Sequence, residues 1–194
     1  MDKRYTTTFN TYKKPNNVLF FILDIIFTSA LVYFDQYTKS LAHIHLKGQP
    51  PMSIIKDFLV LQYLENRGAA FGMFQNKKVF FLIIGTAFVV FVIYYLLRLP
   101  ASKKYHVLRF FLCLMCAGAI GNMIDRFRLE YVIDFIYVVY INFPIFNVAD
   151  IYVTVSAFAL LVLFLFVYSE DDLNLKKARN PYIHSAFREK EEET

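Results

Sequence analysis

Residues 79–97, VFFLIIGTAFVVFVIYYLL, form an apolar run that contains no charged side chain. A helix needs about 20 mostly apolar residues to cross the roughly 30 Å hydrocarbon core of a bilayer, and this stretch has that length. Because the bilayer core holds no water, the backbone groups of such a segment must be paired within the segment itself, as they are in an α-helix. The stretch therefore predicts a transmembrane helix.

Three further runs have the same apolar character. The run 18–34 contains a single charge, Asp24. The run 107–124 contains only Arg109, near one end, and the run 151–169 contains no charge. The apolar run 135–149 is shorter and is interrupted by Pro144, so we interpret it as an extended or interfacial segment. The sequence predicts an all-α membrane protein with four transmembrane helices, whose spans are about 18–34, 79–97, 107–124 and 151–169.

The composition agrees with this class. Hydrophobic residues make up 57% of the 194 residues, against about 45–50% in a typical soluble domain. The net charge of +5 is small, and the cations lie between apolar spans rather than in a stripe, which argues against a nucleic-acid partner. Cys113 and Cys116 lie in an apolar run with no histidine nearby, so we interpret them as small buried hydrophobes rather than a redox or metal site.

The basic residues orient the spans, because Lys and Arg are retained on the cytoplasmic side of a membrane. Four cations occur within residues 1–17 and four more within the 12 residues 98–109. The other connections are sparser, with six cations in the 44 residues 35–78 and two in the 26 residues 125–150. We therefore expect both termini to be cytoplasmic and the segments 35–78 and 125–150 to be extracytoplasmic.

Two segments outside the spans carry their own predictions. Residues 52–74 mix apolar and polar residues with an ambiguous period, which predicts a small, partly β extracytoplasmic subregion. Residues 170–194 are rich in charges of both signs, which predicts a solvated cytoplasmic tail whose removal from residue 171 onward is tolerated. The chain thus divides into a cytoplasmic segment 1–17, a membrane domain 18–169 and this tail.

Polar residues gather at the extracytoplasmic ends of the predicted spans. Polar side chains are costly at membrane depth, so each of them is a candidate for function. They are Asp35, Thr38 and Lys39 after span 1, Asn66 and Gly68 in the long loop, Asn122, Asp125 and Arg126 at the end of span 3, Asp134 beyond it, and Asn147 and Asp150 at the start of span 4.

Helical spacing brings some of these residues together. Asn122, Asp125 and Arg126 stand at i, i+3 and i+4, so they share one face at the end of span 3. Asn147 is placed to cap the N-terminus of span 4, which leaves Asp150 in the first turn. There the helix dipole favours the ionised carboxylate.

Asp134 has a different setting, because Ile133 and Phe135 flank it. Desolvation in such surroundings is expected to raise the pKa of the carboxyl group. Two carboxyl groups whose environments push their pKa values apart can divide acid and base roles between them. Asp134 and Asp150 are therefore candidates for such a pair.

Spacing alone leaves other interpretations open. The same residues are compatible with an interfacial ion-pair network that seats the helix ends, with a proton- or ion-coupled transporter, and with a non-catalytic anchoring protein. Against a transporter, the carboxylates lie at one membrane face and no inverted repeat is visible. The G-x-G-D motif of another class of intramembrane aspartic protease does not occur in the sequence.

Five stretches, taken together and in order, resemble the lipoprotein signal peptidase (signal peptidase II) family. The resemblance covers roughly residues 18–168, and the ordered set is far more specific than any one stretch. The stretches are Asp35-Gln36-Tyr37-Thr38-Lys39, Asn66-Arg67-Gly68-Ala69-Ala70-Phe71, Gly121-Asn122-Met123-Ile124-Asp125-Arg126, Val132-Ile133-Asp134-Phe135 and Phe146-Asn147-Val148-Ala149-Asp150.

This resemblance implies an aspartic endopeptidase of the bacterial cytoplasmic membrane. It implies cleavage of diacylglyceryl-modified prolipoproteins before the lipidated cysteine, near the extracytoplasmic face, by a water molecule activated between Asp134 and Asp150. It also implies that Asn66, Gly68, Asn122, Arg126 and Asn147 line and support the site, next to Asp125, and that Asp35 and Lys39 have a supporting role at the membrane surface.

The resemblance implies no metal or other cofactor, and the four histidines His43, His45, His106 and His184 are too scattered to suggest a metal site. The expected partners are prolipoprotein substrates and membrane lipids. The sequence leaves the oligomeric state open, and we expect a monomer.

Asp24 belongs to none of these motifs. It precedes Asp35 by 11 residues, about three helical turns, so the two side chains face nearly the same way. Either Asp24 points into the bundle, paired with a polar group or held neutral, or span 1 is shifted and Asp24 lies near the cytoplasmic headgroups. Of the two, we expect the second.

Overall fold

The computed structural model describes residues 17–68, 77–100 and 102–173. Each predicted span is a helix long and apolar enough to cross a membrane. The helices are α1 (Asn17–Leu46), α2 (Lys78–Arg98), α3 (His106–Leu129) and α4 (Val148–Phe166). The prediction of four membrane helices is therefore confirmed, whereas the side of the membrane that the termini occupy stays a prediction.

The first helix is longer than expected. We expected the span to end at residue 34, but α1 continues to Leu46, so Asp35 and Lys39 lie within the helix rather than after it. Their charges do not end the helix because both side chains are buried against polar partners. The helix ends where Gly48 adopts a left-handed conformation, with φ of 74°, just before two prolines.

The expected β subregion is present as a three-stranded antiparallel sheet. Its strands are β1 (Met52–Ile55), β2 (Leu59–Asn66) and β3 (Val132–Val138), in the order β1-β2-β3. The segment interpreted as extended thus begins in a strand, which continues into a 3₁₀ turn, Val139–Ile141. A bulge between Leu61 and Leu64 shifts the register of β2 on β3. Residues 69–76, including Ala69, Ala70 and Phe71 of the second motif, lie outside the described residues.

The helix α3 is the centre of the bundle, since α1, α2 and α4 each pack against it. Two glycines permit the close approach. A Cβ added at Gly118 would lie 2.5 Å from the carbonyl oxygen of Ala149 and 2.7 Å from a methyl group of Val153, both on α4. A Cβ added at Gly121 would collide with a carboxylate oxygen of Asp35 on α1. Small residues at such crossings allow close packing of membrane helices, so α1 and α4 meet the same half of α3.

The half of the bundle away from the sheet is mainly apolar. Cys113 and Cys116 are free thiols within it, which confirms that they are buried small hydrophobes. They pack into a cluster that also contains Val92, Leu96, Leu99, Leu108, Leu112 and Leu160.

The expectation for Asp24 was wrong in part. Asp24 faces the bundle and forms an ion pair with Arg109 of α3, so its carboxylate has a partner inside the protein. Arg109 also donates hydrogen bonds to the carbonyl oxygens of Leu96 (3.1 Å) and Leu99 (3.5 Å) at the end of α2. The pair therefore joins α1, α2 and α3. The charge of Asp24 is tolerated in an apolar helix because Arg109 neutralises it.

The first residues of the expected tail are packed against the bundle. A helical turn, α5 (Glu170–Leu173), follows α4, and Asp172 is only 8% exposed. Its carboxylate pairs with Lys104 at 2.6 Å. The tail as defined by the structure begins after Leu173, and residues 174–194, like residues 1–16, lie outside the described residues.

Candidate active site

Asp134 lies at the point where β3 leaves the end of α3, and it is 1% exposed. In the sheet Asp134 pairs with Leu64 of β2. Because side chains two residues apart on a strand share a face, Asn66 lies diagonally across from Asp134. The Asn66 side-chain amide donates a hydrogen bond of 2.8 Å to Asp134 Oδ2. The register of β2 on β3 therefore positions the first carboxyl group of the candidate pair.

Asp150 is positioned by the start of α4. As expected, Asn147 caps the helix, and its Oδ1 accepts a hydrogen bond of 2.9 Å from the Asp150 backbone N–H. The Asp150 carboxylate in turn accepts one of 3.1 Å from the Asn147 backbone N–H. This reciprocal capping box holds the second carboxylate in the first turn, where the helix dipole stabilises negative charge.

Asn147 also joins the two carboxyl groups. Its side-chain N–H₂ donates to Asp134 Oδ1 at 2.7 Å and to Asn122 Oδ1 at 3.1 Å, while its Oδ1 serves Asp150. Asn122 completes the connection, since its own N–H₂ donates to Asp150 Oδ1 at 2.8 Å. The amide orientations of Asn147 and Asn122 are thus fully determined by their partners.

A buried charge cluster on α1 and α3 lies next to Asn122, on the side away from Asp150. Lys39 is 1% exposed, and its ammonium group contacts Asp35 (3.0 Å), Asp125 (3.0 Å) and the Asn122 Oδ1 (2.9 Å). These three acceptors use all three of its N–H donors. Lys39 therefore fixes Asn122, which in turn contacts Asp150. Asp35 and Lys39 thus make their described contacts inside the bundle, and their supporting role at the membrane surface stays a prediction.

Asp35 and Asp125 also hold backbone groups outside their own helices. Asp35 Oδ1 accepts a hydrogen bond of 2.9 Å from the Ala149 N–H, one of the donors left free in the first turn of α4. Asp125 Oδ2 accepts one of 3.2 Å from the Ile133 N–H, next to Asp134. The cluster thus locates both chain segments that carry the candidate pair.

Arg126 stands apart from this charge cluster. Its guanidinium donates to the Gly68 carbonyl oxygen at 3.0 Å and lies 4.4 Å from the centre of the Phe81 ring. Among the described residues it forms no ion pair with Asp125 or Asp134, whose described partners are other residues. Gly68 N–H donates to Asn66 Oδ1 at 2.9 Å, so Arg126 and Asn66 together hold the chain at Gly68.

Burial raises the pKa of the Asp134 carboxyl group to about 7, and the negative charge of Asp150 adds to the effect. The hydrogen bonds from Asn66 and Asn147 and the charge of Lys39 act in the opposite direction. The direction agrees with that expected from the apolar neighbours of Asp134 in the sequence. At neutral pH Asp134 can therefore donate a proton.

Both carboxyl groups line one cavity of about 560 Å³. Asn66, Gly68, Asn122 and Arg126 also line it, together with the segment Phe143–Phe146 and, on α4, Val153 and Thr154. Lys39, Asp35 and Asp125 do not line it and act through the residues that do. The cavity extends along α4, beside the hydrocarbon region that α4 is predicted to cross.

Two contributors received no role from sequence reasoning. Gln36 donates to Asp125 Oδ1 (2.9 Å) and to the Gly121 carbonyl oxygen (3.1 Å), which adds a second link between α1 and α3. Its polarity at membrane depth was the available signal. Phe81 carried no signal, because one phenylalanine in an apolar run is not distinguishable from its neighbours. Within the described residues no group of three His, Cys, Asp or Glu could hold a metal ion.

Comparison with known proteins gives matches over most of the chain. The model of the Peptidase A8 family, described as signal peptidase (SPase) II, matches residues 27–166. A lipoprotein signal peptidase of Caldanaerobacter subterraneus subsp. tengcongensis is 43% identical over 143 residues, which cover 73% of this chain and 95% of that protein. A lipoprotein signal peptidase of Clostridium tetani is 37% identical over 158 residues, covering 80% and 98%.

A similar fold is found among solved structures. One, described as a bacterial membrane enzyme determined by the in meso method at 1.9 Å resolution, matches with a TM-score of 0.65 and 30% sequence identity, covering 75% of this chain and 94% of that one. The range matched by the family model contains every polar residue of the cavity and of the charge cluster behind it.

Proposed function

The chain belongs to the signal peptidase II family, and from this premise we propose that it cleaves diacylglyceryl-modified prolipoproteins just before the lipidated cysteine, using Asp134 and Asp150 as the catalytic pair. Family membership makes it a lipoprotein signal peptidase and a multi-pass membrane protein. The identity of the pair, the lipid requirement, and a position in the bacterial cytoplasmic membrane with the site near its extracytoplasmic face are parts of the proposal.

One observation carries the proposal. Two carboxyl groups from different elements, a strand and a helix N-terminus, line one cavity and share Asn147 as a common hydrogen-bond partner. The raised pKa of Asp134 favours placing a shared proton on that residue. A pair of carboxyl groups with one proton between them is the arrangement that a water-activating aspartic peptidase needs.

The proton inventory closes over one cycle. In the first step the oxygen of the water bonds to the scissile carbonyl carbon, and the ionised Asp150 accepts a proton from that water. In the same step Asp134 gives its proton to the carbonyl oxygen. In the second step the C–N bond breaks, the pair returns a proton to the leaving amine and recovers one from the tetrahedral intermediate. At the end of the cycle Asp134 again carries the proton and the carboxylate of Asp150 is again free to accept one.

The surroundings suit a substrate anchored in lipid. The cavity reaches Val153 and Thr154 on a membrane helix, so acyl chains can remain in the bilayer while the peptide reaches the carboxyl groups. The sheet supplies Asn66 from β2, and we expect it to limit access of water from the other side. Fewer water molecules strengthen electrostatic interactions at the reacting bond.

The test is cleavage of a synthetic diacylglyceryl-Cys prolipopeptide by the purified full-length protein in lipid-supplemented detergent. We expect Asp150→Asn and Asp134→Asn each to lower kcat/KM by about 10² or more, because each removes a proton-transfer group. Asp57→Asn, in the exposed turn between β1 and β2, is the matched control and should retain the wild-type rate. Well-folded variants of the pair that cleave at the control rate would exclude the proposed roles, and equal cleavage of the non-lipidated peptide would exclude the lipid requirement.

A further inference from the structure

A second cavity lies on the opposite face of α3 from the candidate active site. It is an open apolar groove of about 610 Å³ between α2 and α3. Ile124, which lines the groove, is two residues from both Asn122 and Arg126, which line the candidate active site. Two residues correspond to a rotation of about 200° around the helix axis. The groove walls include Leu82, Val89 and Val90 on α2 and Ile120, Ile124 and Phe127 on α3.

A third cavity, of about 250 Å³ and polar, lies beside the end of this groove, against α1. Arg128 lines both cavities. Lys39 and Asp125 form part of the polar pocket, but they are paired with each other and with buried partners. Ser40 and His43 add exposed polar groups. Arg128 is therefore the charge that the pocket can offer to a ligand.

The side chain of Arg128 is exposed, and no described residue forms an ion pair or hydrogen bond with its guanidinium group. The other charges at the polar pocket are engaged, because Lys39 pairs with both Asp35 and Asp125, so the exposed cation Arg128 is the charge left for a ligand. A guanidinium group matches the geometry of a phosphate, to which it can donate two parallel hydrogen bonds.

We propose that the groove and the polar pocket form one binding site for an anionic glycerophospholipid, with an acyl chain in the groove and the phosphate at Arg128. That this lipid belongs to the outer leaflet rests on the orientation proposed for the active site. The site is separate from the cavity of Asp134 and Asp150, and its phospholipid is a bound partner rather than the substrate. The diacylglyceryl group of a prolipoprotein carries no phosphate, so Arg128 distinguishes the two lipids.

The dimensions agree with a single acyl chain in one leaflet. From Leu82 to Val90 the groove follows α2 for eight residues, a rise of about 12 Å. Half of a roughly 30 Å hydrocarbon core is about 15 Å. Arg128 lies one residue before the end of α3, at the same end as the sheet, where a phosphate would lie at headgroup depth. Charge and depth thus favour a phospholipid over a second copy of the chain, whose apolar helices would leave Arg128 unpaired.

The first experiment measures phosphatidylglycerol retained by the purified full-length protein, by native mass spectrometry from detergent. We expect the wild type to retain one lipid per chain, with weaker retention of the zwitterionic phosphatidylethanolamine. Arg128→Gln should weaken phosphatidylglycerol binding about tenfold, because a charge-assisted hydrogen bond is lost. Arg98→Gln, which removes an exposed arginine at the other end of α2, is the matched control and should bind as the wild type does.

The second experiment blocks the groove. Thr86→Trp places a large side chain in it and should abolish retention, whereas Ile84→Trp, about 160° away on the same helix, should not. Absence of retained lipid in the wild type, or equal weakening by the two arginine variants, would overturn the proposal. A wild-type dimer that Thr86→Trp dissociates would also overturn it and assign the groove to contact between copies. The readout is lipid binding, so it is independent of peptidase activity.

Discussion

Asp134 and Asp150 show how neighbours decide the chemistry of one residue type. Asp134 is enclosed by strand residues and receives two side-chain hydrogen bonds, from Asn66 and Asn147. Asp150 belongs to a capping box, where backbone N–H groups and the helix dipole stabilise its charge. The two carboxyl groups therefore differ in electrostatic surroundings although one cavity holds both.

The pKa of Asp134 predicts the pH dependence of cleavage. Asp134 must carry the shared proton, so kcat/KM should fall as the pH rises through about 7. The hydrogen bond from Asn66 stabilises the ionised form, and its removal should raise that pKa further. In a pH–rate profile, Asn66→Ala should thus move the alkaline limb to higher pH.

Gln62→Ala, on the same strand but outside the hydrogen-bond network of the site, is the control and should leave the alkaline limb of the profile where it is. A limb that moves to lower pH in Asn66→Ala, or that moves equally in both variants, contradicts the assignment of the proton to Asp134.

At the residue scale, part of the site could be predicted from the sequence. The cap at Asn147 and the apolar neighbours of Asp134 are local features, and local features are visible in a sequence. The burial of Lys39 between Asp35 and Asp125 is not, because it depends on how α1 packs against α3. The same limit applies to Asp24, whose partner Arg109 is 85 residues away.

The crossing of α3 and α4 controls the distance between the elements that carry the site. Gly118→Ala would place a methyl group against the carbonyl oxygen of Ala149, and backbone cannot move aside as a side chain can. The helices must separate, which moves Asp150 away from Asn122. We expect a loss of about 1–3 kcal/mol of stability, as for other overpacked sites, and slower cleavage.

Gly85→Ala on α2 is the matched control for this prediction. The added methyl group would meet only the flexible side chain of Met123, which can adopt another rotamer. The apparent Tm in detergent and the rate of prolipopeptide cleavage should therefore fall in Gly118→Ala and change little in Gly85→Ala. Equal effects of the two substitutions would mean that the close helix crossing is not what positions Asp150.

At the element scale, the existence of the helices could be predicted and the end of one could not. Apolar length sets each span, so all four were found. The C-terminal end of α1 was placed 12 residues too early, because Asp35 was taken as the end of the apolar run. A charged residue marks the end of a membrane helix only where it has no partner in the bundle, and here Lys39 supplies one.

In the whole molecule, the buried polar network and the packed C-terminal turn lie at opposite ends of the bundle. At one end the sheet, α1 and α4 meet on α3 around the candidate site. At the other, α5 packs against the connection between α2 and α3, where Tyr105 donates a hydrogen bond of 3.1 Å to the Asp172 carbonyl oxygen. Sequence composition predicted that the tail begins at residue 170. This boundary is too early because charge alone does not reveal that Asp172 has a partner in Lys104.

The structure therefore moves the boundary of the dispensable tail. Removal of residues 174–194 deletes none of the described contacts and should leave the apparent Tm and the cleavage rate unchanged. Removal of residues 170–194 also deletes the Asp172–Lys104 ion pair and the contact with Tyr105, and frees the end of α4. We expect the free energy of unfolding to fall by about 1–2 kcal/mol, where each kcal/mol lowers the apparent Tm by roughly 2–4 °C. The cleavage rate should change less than the stability, because the candidate site is at the other end of the bundle.

A pH series separates the ion pair from the rest of the turn. Burial alone would raise the pKa of Asp172, but the hydrogen bonds from Lys104 and Ser169 outweigh it and lower the pKa below its usual value. A lowered pKa stabilises the folded state above the pKa of the unfolded chain, and that contribution is lost as the pH falls through the folded value. The difference in apparent Tm between the wild type and Asp172→Asn should hence be present at pH 7 and shrink in acid. A difference that stays constant down to acidic pH would mean that α5 stabilises the bundle through packing and backbone contacts alone.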